Sequence, residues 1–204
     1  MNKYATLIRE IESRLDGARF RHSLSVAKTA AALGKDFSFT ENDCERLYIA
    51  GLLHDITKPL KTPEQIELCH REGFPLTDDD IASPQVLHAL TGALVAKRDF
   101  PEIADREICQ AIAKHTTGAS EMTLFEKLIY LADYIEPERQ NPVCIAAREA
   151  FYTELSQSDD KLTTLNRHLL TVTEGTKRYV LAKNQPLHPK TEDMILFLQK
   201  ELKQ

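Results

Sequence analysis

Apolar residues recur every three or four positions along nearly the whole chain. Tyr4, Leu7, Ile8, Ile11 and Leu15 set the spacing, which predicts an amphipathic helix closed by Asp16-Gly17. Phe20, Leu24, Ala27, Ala31 and Leu33 carry a second helix to about Gly34. Thr40-Glu41-Asn42-Asp43 reads as an N-cap with acids in the first turn, opening a helix that runs to about His54, where Pro59 blocks its extension. Thr62-Pro63 starts a short helix to about Arg71.

Residues 72–84, EGFPLTDDDIASP, read as loop. Ser83-Pro84 starts a helix to about Arg98, and Pro101 opens the next, to about Lys114. HTTGASEMT is loop, Thr123 caps a helix over 124–135, and Asn141-Pro142 opens another. A long helix over 159–182 follows, then Pro186 and Pro189 break the chain before a last helix over 190–202. Nothing alternates as a strand does. The expectation is an all-α domain spanning 1–204, a bundle of roughly eight to ten helices. Its core would cover about 17–140, with helices of about 141–204 packed on it.

Composition adds exclusions. The 204 residues are 42% hydrophobic and 28% charged, as in an ordinary globular chain, with 7 Gly and no linker-like run. A net charge of −5 without a basic block gives no sign of nucleic acid as a partner. No stretch of about 18 apolar residues suggests a membrane span, and the charged N-terminus lacks the apolar core of a signal peptide. The four cysteines lie far apart, with no C-x-x-C pair, as expected of incidental thiols in a reducing cytoplasm. A mildly acidic protein that handles phosphates needs local cations or metals.

Chemistry gathers at a few polar residues on apolar helices. Within GLLHDITK, residues 51–58, an apolar helix ends in His54 and Asp55, with Lys58 three residues on. His22, His88 and His115 sit in or at the ends of other helices, and Asp133 interrupts the apolar run LIYLADYI. A lone histidine near a helix C-terminus is explained by the helix dipole, and His70 and His168 read as surface residues. Asp55 and Asp133 resist such an account, because a carboxylate on an apolar face is costly unless paired or metal-bound. Imidazoles and carboxylates together suit iron, manganese or zinc. Asp55 has two oxygens and can bridge two ions while His54 binds one. Lys58 is then placed to neutralise a phosphate.

The order His22, His54-Asp55, His88, His115, Asp133 resembles the HD-domain superfamily of metal-dependent phosphohydrolases. RFRHS (19–23), HDITK (54–58), KHTTG (114–118), ADYIEPER (132–139) and PLHPKT (186–191) resemble more narrowly the YqeK family of symmetrical bis(5'-nucleosyl)-tetraphosphatases. That resemblance implies one or two ions, iron first, with manganese or another divalent metal as alternatives. His22, His54, Asp55 and Asp133 would hold the first ion; His88 and His115 would hold a second, with Asp55 between the two. Arg19, Thr57, Lys58, Thr116, Thr117, Arg139 and His188 would face the substrate, with Asp55, Lys58 and Arg139 carrying catalysis.

The implied substrate is diadenosine tetraphosphate, with ADP as product and a homodimer as a compatible assembly. Rival readings are another HD-type nucleotide phosphohydrolase, acting on mononucleotides or alarmones, and a nucleotide-binding regulator without turnover.

Overall fold

A computed structural model describes residues 4–203. Its regular elements are α1 (Ala5–Arg14), α2 (Gly17–Asp36), α3 (Glu41–Leu53), α4 (Thr62–Arg71), α5 (Asp78–Ala82), a 3-10 turn (Pro84–Val86), α6 (Leu87–Asp99), α7 (Arg106–Lys114), α8 (Leu124–Ile135), α9 (Pro142–Gln157), α10 (Lys161–Ala182) and α11 (Pro189–Glu201). Among the described residues there is no strand, so the chain is all-α as its periodicity predicts. Among those residues no helix is long and apolar enough to cross a membrane.

Caps fix where the helices begin. Thr40 and Thr123 accept from the backbone N–H groups of Asp43 and Glu126, and Asn141 accepts from Val143 N. Three expectations need correction for the same reason. Asp16 does not close α1; its carboxylate caps α2 by accepting from Arg19 N, so α2 starts at Gly17 and carries Arg19 and His22 in its first turns. The acidic run 78–80 is not loop, because Thr77 and Asp80 form a reciprocal capping box that starts α5. Pro101 opens only a turn; α7 begins at Arg106, where Asp105 accepts from Glu107 N and Ile108 N. His168 is also not a surface residue: it is buried against the ring of Phe151, at 5.3 Å between centroids, with Nε2 2.8 Å from Glu154.

The centre is an antiparallel pair, α2 and α3, backed by α7 and α8. Helices α6 and α4 pack outward from α7, while α9, α10 and α11 extend the layer beyond α8. One continuous apolar cluster joins them, from Leu7 and Ile11 through Leu47, Leu53, Leu128 and Ile129 to Leu165, Leu169 and Leu198. Each such side chain, when fully buried, contributes about 1.5–3 kcal/mol.

Two glycines allow backbone to approach backbone close to His54. A Cβ on Gly51 of α3 would lie 2.6 Å from the Cα of Ala27 on α2, so the backbones nearly touch one turn from His54. A Cβ on Gly92 of α6 would lie 3.2 Å from the carbonyl oxygen of His54. The small residues thus draw three helices together around one point.

Candidate metal centre

Helix α3 runs out at Leu53, and the backbone tightens rather than stops. Ile56 N, Lys58 N and Leu60 N donate to the carbonyls of Leu53, Asp55 and Thr57, all three residues back. That spacing stacks residues three apart on one side, so Lys58 follows Asp55 on the same face. His115 ends α7 in the same manner, and Lys114 beside it is tied to the buried Glu126 of α8 at 2.6 Å.

The side chains named from the sequence meet here, from helices α2, α3, α6, α7 and α8. His22 Nε2 lies 3.0 Å from Asp133 Oδ1 and 3.3 Å from His54 Nε2. His54 Nε2 lies 3.6 Å from Asp55 Oδ2 and 3.7 Å from Asp133 Oδ1, and His22 Nε2 is 3.8 Å from Asp55 Oδ2. With ligand bonds of about 2.0–2.2 Å, neighbouring ligands around one ion stand about 3.0–3.5 Å apart. His22, His54 and Asp55 form one group close to that spacing, and His54, His115 and Asp133 form another that could hold an ion.

The other oxygen of Asp55 faces a second pair of rings. His88 Nε2 is 3.3 Å and His115 Nε2 3.7 Å from Asp55 Oδ1, a buried atom without a hydrogen-bond partner. The imidazoles form an arc of edge-to-face contacts, His22 to His54 at 5.2 Å, His54 to His115 at 4.9 Å and His115 to His88 at 5.1 Å between centroids. An unpartnered buried carboxylate oxygen and convergent Nε2 atoms are what one or two divalent ions would satisfy.

Each ring is oriented from behind. Nδ1 of His54 donates to the Gly51 carbonyl at 2.7 Å, Nδ1 of His115 to Ile112 at 2.7 Å and Nδ1 of His88 to Gln85 at 3.1 Å. His22 alone uses a side chain: its Nδ1 donates to Glu136 Oε1 at 3.0 Å. These bonds set the ring orientations that turn every Nε2 inward.

The charges follow from burial and neighbours. Burial pulls the His54 imidazole down to about 4, so it is neutral and able to ligate at pH 7. Burial, with His115 and Lys58 nearby, holds His88 well below the ordinary histidine range. Burial also opposes charge on His22, but hydrogen bonds to Asp133 and Glu136 outweigh it and raise that ring to about 9. Against burial, the imidazoles of His54, His115 and His88 hold the Asp55 carboxyl well below the carboxylate range, and Arg139 and His22 do the same for Asp133.

Cations rim the site. Arg19 Nη1 donates to Asp55 Oδ2 at 2.7 Å, and Arg139 donates to both the side chain and the backbone carbonyl of Asp133. Lys58 Nζ sits 3.0 Å from His88 Nε2, its pKa lowered by burial. A cleft of about 580 Å³ opens above them, reaching from Lys58, His88, Asp133 and Arg139 out to Tyr134 and Tyr179. Thr116 lines it, with a buried hydroxyl that has no partner.

Three expected substrate residues point elsewhere. Thr57 is buried and donates to the His88 carbonyl at 3.0 Å, bracing the two ligand-bearing segments. The Thr117 hydroxyl closes its own loop onto the Gly118 carbonyl at 2.9 Å. His188 is buried, caps α11 by accepting from Lys190 N and pairs with Asp80 at 3.2 Å. Sequence reasoning missed Glu136, which is fully buried behind His22. Its signals are its place within ADYIEPER and an acid set just past the end of an apolar helix.

The chain is similar to known proteins over most of its length. The HD domain family model matches residues 19–138. The chain is 33% identical over 183 residues to the symmetrical bis(5'-nucleosyl)-tetraphosphatase of Bacillus subtilis, covering 89% of each protein. It is 32% identical over 181 residues to the enzyme of the same name from Halalkalibacterium halodurans, again over 89% of each. A crystal structure of a predicted HD superfamily hydrolase involved in NAD metabolism, from Clostridium acetobutylicum, superposes with a TM-score of 0.84 at 34% identity, over 98% of this chain and 99% of that one.

Proposed function

The chain belongs to the HD domain family, and on that premise we propose that it is a metal-dependent hydrolase cleaving symmetrical dinucleoside tetraphosphates, diadenosine tetraphosphate foremost, into two nucleoside diphosphates. One observation carries the reading. Asp55 presents one oxygen to His22 and His54 and the other to His88 and His115, at the floor of a cleft edged by Lys58 and Arg139. His22, His54, Asp55 and Asp133 would hold the first ion, iron in our reading, and Asp55, His88 and His115 a second. We place the enzyme in the cytoplasm, where its four unpaired thiols stay reduced.

When bound, such ions act as Lewis acids on phosphoryl oxygens and make water a nucleophile near neutral pH. The protein supplies the rest. Lys58 and Arg139 offset charge that builds on the phosphates as the anhydride breaks, and Thr116 offers a hydroxyl to a phosphate oxygen. Phosphoryl transfer depends mainly on such positioning and electrostatics. Water adds across the central P–O–P bond, so one diphosphate leaves with the bridging oxygen and the other gains the water oxygen; two protons are released once both new terminal phosphates are fully ionised.

The test is product analysis with purified, iron-loaded protein. ADP alone from diadenosine tetraphosphate is expected. ATP with AMP would mean asymmetric cleavage and overturn the reading, as would preferential turnover of mononucleotides or alarmone nucleotides. Nucleotide binding without any product would leave a regulator.

A further inference from the structure

The four imidazoles of the centre are backed unequally. Those of His54, His88 and His115 lean on neutral backbone carbonyls, whereas that of His22 leans on the carboxylate of Glu136. Glu136 is fully buried, one residue past α8 and three past Asp133. A buried carboxylate costs stability unless its charge is used or satisfied. Here Oε2 accepts from the Glu138 backbone N–H, and the carbonyl of Glu136 accepts from Arg148 Nη1 at 2.7 Å, which fixes the segment. The second cluster is treated in the opposite way, since Lys58 places an ammonium 3.0 Å from His88 Nε2.

We propose that Glu136 is a positioning residue that makes the site of His22, His54, Asp55 and Asp133 the tighter of two unequal metal sites. A carboxylate on Nδ1 makes the opposite nitrogen of the ring a stronger donor and locks its direction. It also adds a negative charge behind the first site, where Arg19 and Arg139 each set a guanidinium against a carboxylate, Asp55 and Asp133, while Lys58 stands directly against an imidazole of the second. The first ion is then resident, and the second arrives later and leaves sooner. The inference rests on the metal-centre reading of Proposed function.

The experiment titrates metal-free full-length protein with Co2+ alone, following the absorption of the bound ion and a chelator competition, without nucleotide. Wild-type protein is expected to bind in a tight step and a weaker one. Glu136→Gln, which keeps the shape and a hydrogen-bond acceptor but loses the charge, should weaken the tight step about 10–100-fold and leave the weak step in place. His88→Ala should do the reverse. Should Glu136→Ala fail to fold, Glu136→Gln with unchanged circular dichroism still decides. Equal binding by wild type and Glu136→Gln, or a loss spread evenly over both steps, overturns the role of Glu136 while leaving the metal centre standing. Failure of wild-type protein to bind Co2+ overturns the metal reading itself, and this inference with it.

Discussion

Gly51→Ala tests whether the α2–α3 contact is what brings His22 and His54 within ligand distance. The new Cβ would lie 2.6 Å from Ala27 Cα and 2.7 Å from Ala27 N, both backbone atoms that no rotamer change can move. Carbon atoms rest about 3.5–4.0 Å apart, so the helices must separate by about 1 Å. Overpacking costs about 1–3 kcal/mol, and backbone obstacles place this case near 3. Alanine in place of a helical glycine returns about 1 kcal/mol, leaving a net loss of about 2. For a chain of this size that is a fall of about 4–8 °C in melting temperature.

The effect on the site should be larger than the effect on the fold. Ligand bonds tolerate about 0.2 Å, so a shift of about 1 Å between His22 and His54, now 3.3 Å apart, should weaken metal binding about 10-fold or more. Differential scanning calorimetry and metal titration of the same sample read both quantities. Wild-type melting and wild-type metal affinity together would refute the claim that this crossing sets the ligand spacing. A lower melting temperature with intact affinity would refute the link to the site alone.

Lys58→Ala and Arg139→Ala should each lower kcat about 10²–10³-fold with metal content unchanged, measured by steady-state kinetics and elemental analysis; loss of metal would move either residue from charge compensation to support of the ligands. His88→Ala and His115→Ala should lose about half the metal and most of the turnover, whereas full retention with weaker nucleotide binding would leave a one-ion site. Metal binding should also strengthen with pH. The metal-free His22 ring is raised to about 9, so near pH 7 it carries a proton that an incoming ion must displace, and apparent affinity should climb about tenfold per pH unit until it levels near 9. Calorimetry in buffers of different ionisation enthalpy counts that proton; zero release near pH 7 would contradict the carboxylate pairing of His22.

The all-α class and most helix limits were legible because period and caps agree: Thr40, Thr123 and Asn141 each sit before an apolar run and each caps in the structure. The misplaced limits share a cause. Asp16, Thr77 and Asp105 are capping residues whose helices start with few apolar positions, so reading by period put turn or loop where a side chain starts a helix. The candidate ligands were legible because a charge on an apolar face has few inexpensive explanations. Thr57, Thr117 and His188 show the limit of that logic. Hydroxyls and an imidazole beside a motif serve as well in bracing it, and only coordinates show the Thr57 hydroxyl turned to the His88 carbonyl rather than to the cleft.

The adjacency of His54 and Asp55 has a geometric answer. Side chains of neighbouring helical residues diverge by about 100°, which on a regular helix would send one of the two away from any shared ligand. Here the α3 backbone is already tightening, and Asp55 lies beyond the last α-helical residue, Leu53. His54 is held by the Gly51 carbonyl and faces His22 and Asp133. Asp55 diverges from it toward the middle of the imidazole arc, and its two oxygens reach the rings on either side. Divergence is therefore useful: one residue serves one cluster, its neighbour joins both, and the same narrow turn presents Lys58 to the cleft. If cations occupied both clusters, Asp55 would be the one side chain placed to contact each of them, and so to help position a phosphoryl group between them.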